Sequence, residues 1–341
     1  MSKPWPIDLG IPVTPAVRPP EQRDQVKLLA VERHAGQFQA SAMQHIADFF
    51  QSGDLLVVNN SSMIPAALFA EIEGLRRQVH LAARLGPREV LFELRMENGS
   101  ADGKTLPIGA SVQLFDRHGQ RVSGGMVTAH FHPASRIWRA ATDDDWYALA
   151  PRIGQPIRYA YLDRPYPLEY YRTVFGTEPG SSEMPSASRP FTDSIVTALR
   201  DKGVEMVSLT LHTTVSSHEI EPGEEPLVIP EWYRIPPTTI QALTRAERQG
   251  RSIIALGTTV VRALESWRGG YPEQGWTTHL VTPETPPRLV SGLITGLHDS
   301  FTSHLWLLYG FLDPGALHRA YRFAKESGFY WHEFGDLSII R

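Results

Sequence analysis

The sequence predicts an α/β protein with a barrel-like α/β body and an inserted small all-β, β-barrel-like domain. From Tyr170 onward, apolar runs typical of buried strands alternate with amphipathic helical patterns, which indicates parallel βαβ units. Between residues 66 and 154 the pattern changes to short alternating stretches, separated by turn pairs such as Asn98-Gly99. Because the α/β pattern then resumes, we expect 66–154 to be the insert and 1–65 together with 155–341 to form the catalytic body.

In the first part of the body, the sequence predicts one helix with a strand before it and a strand after it. Residues 26–33 are typical of a strand, and the apolar run 54–60 is typical of a short buried one. Residues 41–53 between them fit a helix that begins with a capping box of Ser41 and Gln44.

For the rest of the body, the sequence predicts alternating helices and strands. Thr192 is the expected N-cap of the first helix, and Gly203 is its expected end. The predicted helices cover 191–203, 236–250, 258–270, 300–312 and 315–328, and the predicted strands cover 204–212, 251–256, 278–282, 288–296 and 337–340.

Composition limits the classes of function. The chain of 341 residues has no cysteine, which excludes disulfides, thiolate metal sites and a cysteine nucleophile. It shows neither a signal-peptide pattern nor the roughly 20 consecutive apolar residues that span a bilayer, so we expect a cytoplasmic protein without a membrane segment. With 33 basic and 37 acidic side chains the formal charge is −4, so any RNA would have to meet a local basic patch.

The most suggestive motif is Gly257, Thr258 and Thr259, where a predicted strand ends and a predicted helix begins. Ligands of parallel α/β folds bind outside the carboxyl ends of strands, where helices begin. Glycine allows close approach of a ligand to the backbone, and hydroxyls with free N–H groups bind a carboxylate or phosphate. The structural alternative is a tight turn with a threonine cap.

Arg262 and Glu265 follow on the same helix. Their spacing of three residues places them on one face, where they are either a functional pair near the start of the helix or a surface ion pair.

Polar residues also stand at the ends of other predicted strands. Asn59 and His212 end two strands, His298 follows a third, and Asp336 precedes the last one. Such positions often carry chemistry, although turn formation and core packing are the structural alternatives. His212 and His218 do not have the spacing of a helical zinc signature, so no metal is expected.

Taken in order, these stretches resemble the S-adenosylmethionine:tRNA ribosyltransferase-isomerase family of queuosine biosynthesis. The resemblance covers nearly the whole chain and is most specific at the Gly-Thr-Thr-x-x-Arg-x-Leu-Glu-Ser run. The matching runs are RPPEQRDQVKLLAVER, GDLLVVNNSSMIPAALF, YYRTVF, IIALGTTVVRALES, GWTTHLVTPE, LITGLHDSFTSHLWLL and FGDLSII.

The resemblance implies that S-adenosylmethionine serves as a ribosyl donor substrate. The sulfonium acidifies the adjoining ribose methylene, a base removes that proton, and the sugar rearranges to an epoxycyclopentanediol on the acceptor amine with release of adenine and methionine. It implies donor binding by Gly257, Thr258, Thr259, Arg262 and Asn59. Proton transfer and polar contacts fall to His298, Asp336, Glu265 and His212, which are the candidate catalytic residues.

The chain departs from the family pattern in the loops at 181–192, 213–219 and 296–300. Pro190 and Ile229 stand where the family has histidine, and Tyr330 stands where it has arginine, whereas Glu231 and His298 are kept. The donor stretch matches better than the loops that the resemblance assigns to the acceptor.

Three functions are therefore compatible with the sequence. The first is the family's own transfer to an aminomethyl-deazaguanine base in tRNA, the second is the same donor chemistry on a small molecule or cleavage of the donor alone, and the third is a non-catalytic nucleotide-binding scaffold. The first requires a basic surface, and the candidates are Arg76, Arg77, Arg245, Arg248 and Arg251.

Overall fold

The computed structural model describes residues 8–33, 36–133, 135–215 and 228–341. In chain order the strands are β1 (Lys27–Val31), β2 (Phe38–Ala42), β3 (Leu55–Asn59), β4 (Ser61–Met63), β5 (Ala67–Ile72), β6 (Leu75–Gly86), β7 (Glu89–Met96), β8 (Ser111–Phe115), β9 (Arg121–His130), β10 (Ile137–Thr142), β11 (Glu178–Ser181), β12 (Glu205–Leu211), β13 (Glu231–Arg234), β14 (Ile253–Leu256), β15 (Gln274–Thr277), β16 (Gly292–Gly296) and β17 (Leu337–Ile340). The helices are α1 (Trp146–Ile153), α2 (Asp193–Asp201), α3 (Pro237–Arg248), α4 (Thr258–Arg268), α5 (Ser303–Tyr309) and α6 (Pro314–Glu326), with short 3-10 helices at Met43–Phe49, Leu168–Tyr171 and Ser186–Ser188.

The body is built on a mixed sheet of nine strands. Their spatial order is β15-β13-β12-β3-β14-β16-β17-β1-β2, and the central strands β12, β3, β14 and β16 run parallel. Alternate residues of β3 pack on opposite faces: Leu55 and Val57 belong to one apolar core, and Leu56 and Val58 to another. The sheet is therefore buried on both sides, as parallel strands require.

The insert forms a closed antiparallel barrel of six strands in the order β10-β7-β6-β5-β8-β9. Its own apolar core includes Phe92 and Trp146, which are buried from solvent. The predicted fold class, an α/β body with a small β barrel, is confirmed. The barrel strands lie within the predicted insert 66–154, and the limits of the two domains stay a prediction.

Several local predictions differ from the structure. Ser41 lies in β2 opposite Leu28, and the 3-10 helix after it has Ala42 as N-cap without a side-chain hydrogen bond, so the capping box is wrong. The strand predicted at 278–282 instead lies at Gln274–Thr277, at an edge of the sheet. The body sheet is open, with β15 and β2 at its edges, and it includes antiparallel pairs such as β16 with β17. No helix among the described residues is long and apolar enough to cross a membrane.

Candidate active site

A cavity of about 1360 Å³ lies between the barrel and the body. Arg95 and Arg136 form part of its barrel wall, and residues after β14 and β16 form part of its body wall. Ligand pockets for one small molecule span about 300–1,000 Å³. The cavity is therefore large enough for two reactants side by side.

The Gly257-Thr258-Thr259 stretch lines this cavity, as the sequence predicts. Gly257 is the N-cap of α4 with a φ of 97°, which favours glycine, and its N–H donates to the Ile294 carbonyl at 2.7 Å. No side chain caps the helix, so the alternative of a threonine-capped turn does not hold. Apolar packing of Val260 on the buried side fixes the helix and leaves its first turn facing the cavity.

Arg262, one turn further along α4, also lines the cavity, and its partner is not the predicted one. Its guanidinium forms an ion pair with the Glu231 carboxylate at the start of β13. The Thr214 N–H donates to the other carboxylate oxygen at 3.2 Å. Because both charged side chains are mostly buried, at 18% and 7% exposure, this pair holds the guanidinium in one place.

Glu265, a predicted catalytic residue, is not part of the cavity lining. Its side chain is buried outside the cavity and accepts the backbone N–H groups of Arg288, Leu289 and Val290 at 2.9, 3.0 and 2.9 Å. Both oxygens are engaged, so this carboxylate fixes the loop before β16.

Asn59 does not reach the cavity either. Its amide donates to the Leu211 carbonyl at 2.8 Å and to the Thr259 hydroxyl at 3.4 Å, while its oxygen accepts the N–H groups of Ser61 and Leu211, both at 3.0 Å. The predicted donor contact is thus replaced by an indirect one. Asn59 joins β3 to β12 and positions the Thr259 hydroxyl from behind.

Asp336 is likewise a turn residue rather than a cavity residue. One carboxylate oxygen accepts the Lys27 N–H at 2.6 Å and the other accepts the Tyr330 N–H at 2.7 Å. Burial raises the pKa of Asp336, and these two hydrogen bonds oppose the shift. Its oxygens tie β17 to β1, and the residue does not line the cavity.

His298 lines the cavity, in agreement with its predicted position. Its Nε2 lies 2.7 Å from the Thr295 hydroxyl, and its ring stacks on His304 with 4.7 Å between centroids. Burial, and then the neighbouring His304 and His332, hold the pKa of His298 well below its usual value. The imidazole is therefore neutral at physiological pH, and burial disfavours its protonation.

The cavity lining also includes Tyr161, Asp299, His332 and Glu333, none of which was a predicted site residue. The His332 ring stacks on Tyr161 at 4.5 Å, and its Nε2 lies 3.6 Å from the Asp299 carboxylate. Glu333 is next in the chain, and its Oε2 is shielded from solvent without a hydrogen-bond partner in the structure. Burial raises the pKa of Glu333 to about 7. The only sequence signal was the polar pair His332-Glu333 between aromatic residues, which has no recognisable period.

His212 lies away from this group and lines a second cavity of about 440 Å³. Its Nδ1 is 2.8 Å from the Ser61 hydroxyl, and burial lowers its pKa to about 4. His212 therefore lies apart from the α4 residues, and its catalytic role stays a prediction. His218 lies outside the described residues, and no group of three or more potential metal-ligating side chains occurs among those that are described.

The arginines predicted to meet RNA are largely paired with acids. Arg77 bonds to Asp102, and Arg245 and Arg251 both bond to Glu205. Arg76 lies 3.8 Å from Glu97.

The arginines that line the large cavity are not those that were predicted to meet RNA. Arg95 and Arg136 share the buried Glu93 carboxylate at 2.7 and 3.0 Å. Together, Arg95, Arg136 and Glu93 carry two positive charges and one negative charge.

Comparison with known proteins places the geometry in context. The family model for "Queuosine biosynthesis protein" matches residues 12–340. Relatives named S-adenosylmethionine:tRNA ribosyltransferase-isomerase include those of Sorangium cellulosum, 31% identical with 96% of this chain and 95% of the relative covered, and Heliobacterium modesticaldum, 30% identical with 95% of each covered. The crystal structure of S-adenosylmethionine tRNA ribosyltransferase from Thermotoga maritima has a similar fold, with a TM-score of 0.52 and 23% identity over 100% of this chain and 99% of that one. Because the family model spans almost every residue and the relatives align over nearly their whole length, the chain belongs to the queuosine biosynthesis protein family.

Proposed function

We propose that this enzyme is an S-adenosylmethionine-dependent ribosyltransferase-isomerase that acts on tRNA in queuosine biosynthesis. It adds an epoxycyclopentanediol group to an aminomethyl-deazaguanine base and releases adenine and methionine. Family membership and the names of the relatives support this activity. The observation that carries it in the structure is the opening of the uncapped α4 N-terminus, with Arg262 one turn behind it, into a cavity with room for two reactants. A cytoplasmic location, where tRNA is found, is part of the proposal.

The amino-acid part of the donor binds at the start of α4. The N–H groups and hydroxyls of Thr258 and Thr259 are donors for its carboxylate, and the positive end of the helix dipole favours that charge. Arg262 adds a fixed positive charge to the same wall, and Glu231 offers a carboxylate for the donor's ammonium group. Asn59 acts through Thr259.

Proton transfer is assigned to Glu333, and His298 is a neutral hydrogen-bonding group in the lining of the same cavity. The Glu333 carboxyl group, with a pKa of about 7, is suited to exchange protons near neutral pH, whereas the His298 imidazole is neutral there and donates or accepts a hydrogen bond. The reaction needs a base for the methylene beside the sulfonium and an acid for the leaving adenine. Both residues line the cavity that the α4 N-terminus faces.

The test is incubation of the full chain with S-adenosylmethionine, with and without tRNA that carries the aminomethyl-deazaguanine base, followed by mass analysis. We expect adenine, methionine and a tRNA of increased mass, all dependent on the modified tRNA. Adenine and methionine without any RNA would instead support a small-molecule acceptor or donor cleavage. Donor binding by calorimetry with no product at all would support a non-catalytic scaffold. His298→Ala with unchanged turnover would remove that residue from the mechanism.

A further inference from the structure

The second cavity, which contains His212, lies next to the candidate active site. Thr214 lines both cavities, and Glu231, whose carboxylate faces the large one, is flanked in the chain by Pro230 and Trp232, which face the small one. The start of β13 therefore forms part of the wall of each cavity. A molecule that occupies one cavity is within reach of the other.

Four side chains with planar rings are part of the lining of this second cavity. Trp232 and Trp276 are direct partners in the register of β13 with β15. The His212 ring lies almost parallel to Trp232, with 5.5 Å between centroids and 18° between planes, and Tyr147 contributes a fourth ring. Aromatic rings can stack with another planar ring, and His212 already covers one face of Trp232.

His212 is held rigidly in this wall. The Ser61 hydroxyl contacts its Nδ1 at 2.8 Å and is itself 2.6 Å from the Ser181 hydroxyl. The backbone of Gly180 passes so close that a Cβ there would lie 2.6 Å from the imidazole. Because Nδ1 is engaged by Ser61, Nε2 is the ring nitrogen that remains for a ligand.

The charge of the cavity suits an uncharged ring. Its charged side chains, among the described residues, are Arg84 and Asp145, and these two form an ion pair with each other. Burial lowers the pKa of His212 to about 4, so the imidazole is neutral near pH 7. The rest of the lining is mainly alanine, proline and aromatic.

We infer that this second cavity binds a nucleobase of the tRNA next to the base that is modified, stacked on Trp232 and Trp276 and contacted at its edge by His212. The inference rests on the proposed function, because tRNA enters only as the acceptor of that reaction. Proteins that recognise single-stranded RNA splay its bases onto aromatic side chains, and one such stack contributes about 1–3 kcal/mol. Trp276, 38% exposed on the edge strand β15, stands where a base can enter from solvent.

The test compares Trp276→Ala, Trp276→Phe and Trp232→Phe with the wild-type full chain. Tyr271→Ala is the matched control, because Tyr271 is also 38% exposed and lines neither cavity. Affinity is measured for tRNA by fluorescence anisotropy and for S-adenosylmethionine by calorimetry, and kcat and KM for the modified tRNA are measured separately. Thermal unfolding checks that each variant is folded.

We expect Trp276→Ala to weaken tRNA binding and raise its KM by roughly fivefold to a hundredfold, with donor affinity and kcat unchanged. Trp276→Phe, which keeps a flat ring, should recover part of that loss, and Tyr271→Ala should match the wild type. A loss of donor affinity in place of tRNA affinity would overturn the inference, because the cavity would then hold the adenine of the donor. Unchanged tRNA affinity in all variants would overturn it as well.

These outcomes separate the inference from the proposed function. Wild-type protein that binds tRNA but yields no product would contradict the function, while the affinities of the variants would still decide the role of the cavity. Normal turnover by Trp276→Ala with unchanged KM would contradict the inference alone. Wild-type protein that does not bind tRNA would contradict both.

Discussion

Arg262 on α4 and Glu231 at the start of β13 form an ion pair in the wall of the large cavity. Removal of Glu231 leaves the arginine mostly buried and unpaired, free to turn away from the donor site. We expect Glu231→Gln to raise the KM for S-adenosylmethionine by roughly tenfold to a hundredfold, the range for loss of a charged hydrogen bond. Arg262→Lys should have a similar effect, because lysine keeps the charge but not the forked geometry. Steady-state kinetics with varied donor measures both.

A second ion pair of α4, between Arg268 and Glu247 of α3, serves as the control. Arg268 lies 3.1 Å from Glu247, but both side chains are substantially exposed, at 46% and 34%. Glu247→Gln should leave the KM unchanged and alter the free energy of unfolding by less than about 1 kcal/mol, as for surface pairs in general. Equal effects of Glu231→Gln and Glu247→Gln on KM would contradict a specific role for the cavity pair.

The hydroxyls of Thr258 and Thr259 give a second prediction. Thr258→Val and Thr259→Val preserve the shape of each side chain and remove the groups assigned to the donor carboxylate. Each should weaken donor binding by calorimetry about tenfold or more. Thr244→Val on α3 is the control, because that hydroxyl bonds to the Ile240 carbonyl of its own helix at 2.9 Å. Donor affinity that is the same in all three variants would place the donor elsewhere.

Local sequence signals predicted much of the fold and the position of the Gly257-Thr258-Thr259 stretch at the start of α4. Thr192 caps α2 as expected, and the glycine before Thr258 lies where the strand gives way to α4. These features depend on residues within a few positions of each other. The capping box at Ser41 failed because pairing of β2 with β1 extends through that residue, a contact that no local pattern contains.

Carboxylates were the weakest part of the sequence prediction. Glu265 is engaged by N–H groups more than twenty residues away, and Asp336 by the N–H of Lys27 at the other end of the chain. An acid held by backbone donors has the same local sequence as a catalytic one. Glu333 was missed for the converse reason, since its surroundings in the cavity exist only when distant segments meet.

The structural role of Glu265, which holds the loop before β16, can be tested by measuring stability and activity separately. Glu265→Gln replaces one of the two acceptor oxygens by an amide group, so at least one of the three backbone N–H groups loses its partner. We expect the free energy of unfolding to fall by about 1–3 kcal/mol in urea denaturation, with kcat at 25 °C nearly unchanged. A large fall in kcat with unchanged stability would restore the catalytic prediction.

Glu333 makes the activity depend on pH in a specific direction. A carboxyl group with a pKa of about 7 is protonated below that pH and ionised above it. If Glu333 is the base, kcat/KM should rise as pH increases through about 7, and Glu333→Gln should lose that rise together with most of the activity. Glu326→Gln, at the exposed end of α6, should keep the wild-type profile. A wild-type profile that falls through pH 7 would assign Glu333 the role of the acid instead.

The same pKa predicts a change in stability that does not depend on catalysis. Because burial raises the folded-state pKa of Glu333 from 4.5 to about 7, the folded protein keeps a proton that the unfolded chain releases between those values. Its contribution to the free energy of unfolding is therefore greatest at low pH and falls as pH rises through that window. Glu333→Gln carries no ionisable group, so its Tm should exceed that of the wild type above pH 7, by an amount that shrinks toward pH 5. A difference in Tm that is constant between pH 5 and 8 would mean that Glu333 titrates normally in the folded protein, and the acid–base role would then lose its physical basis.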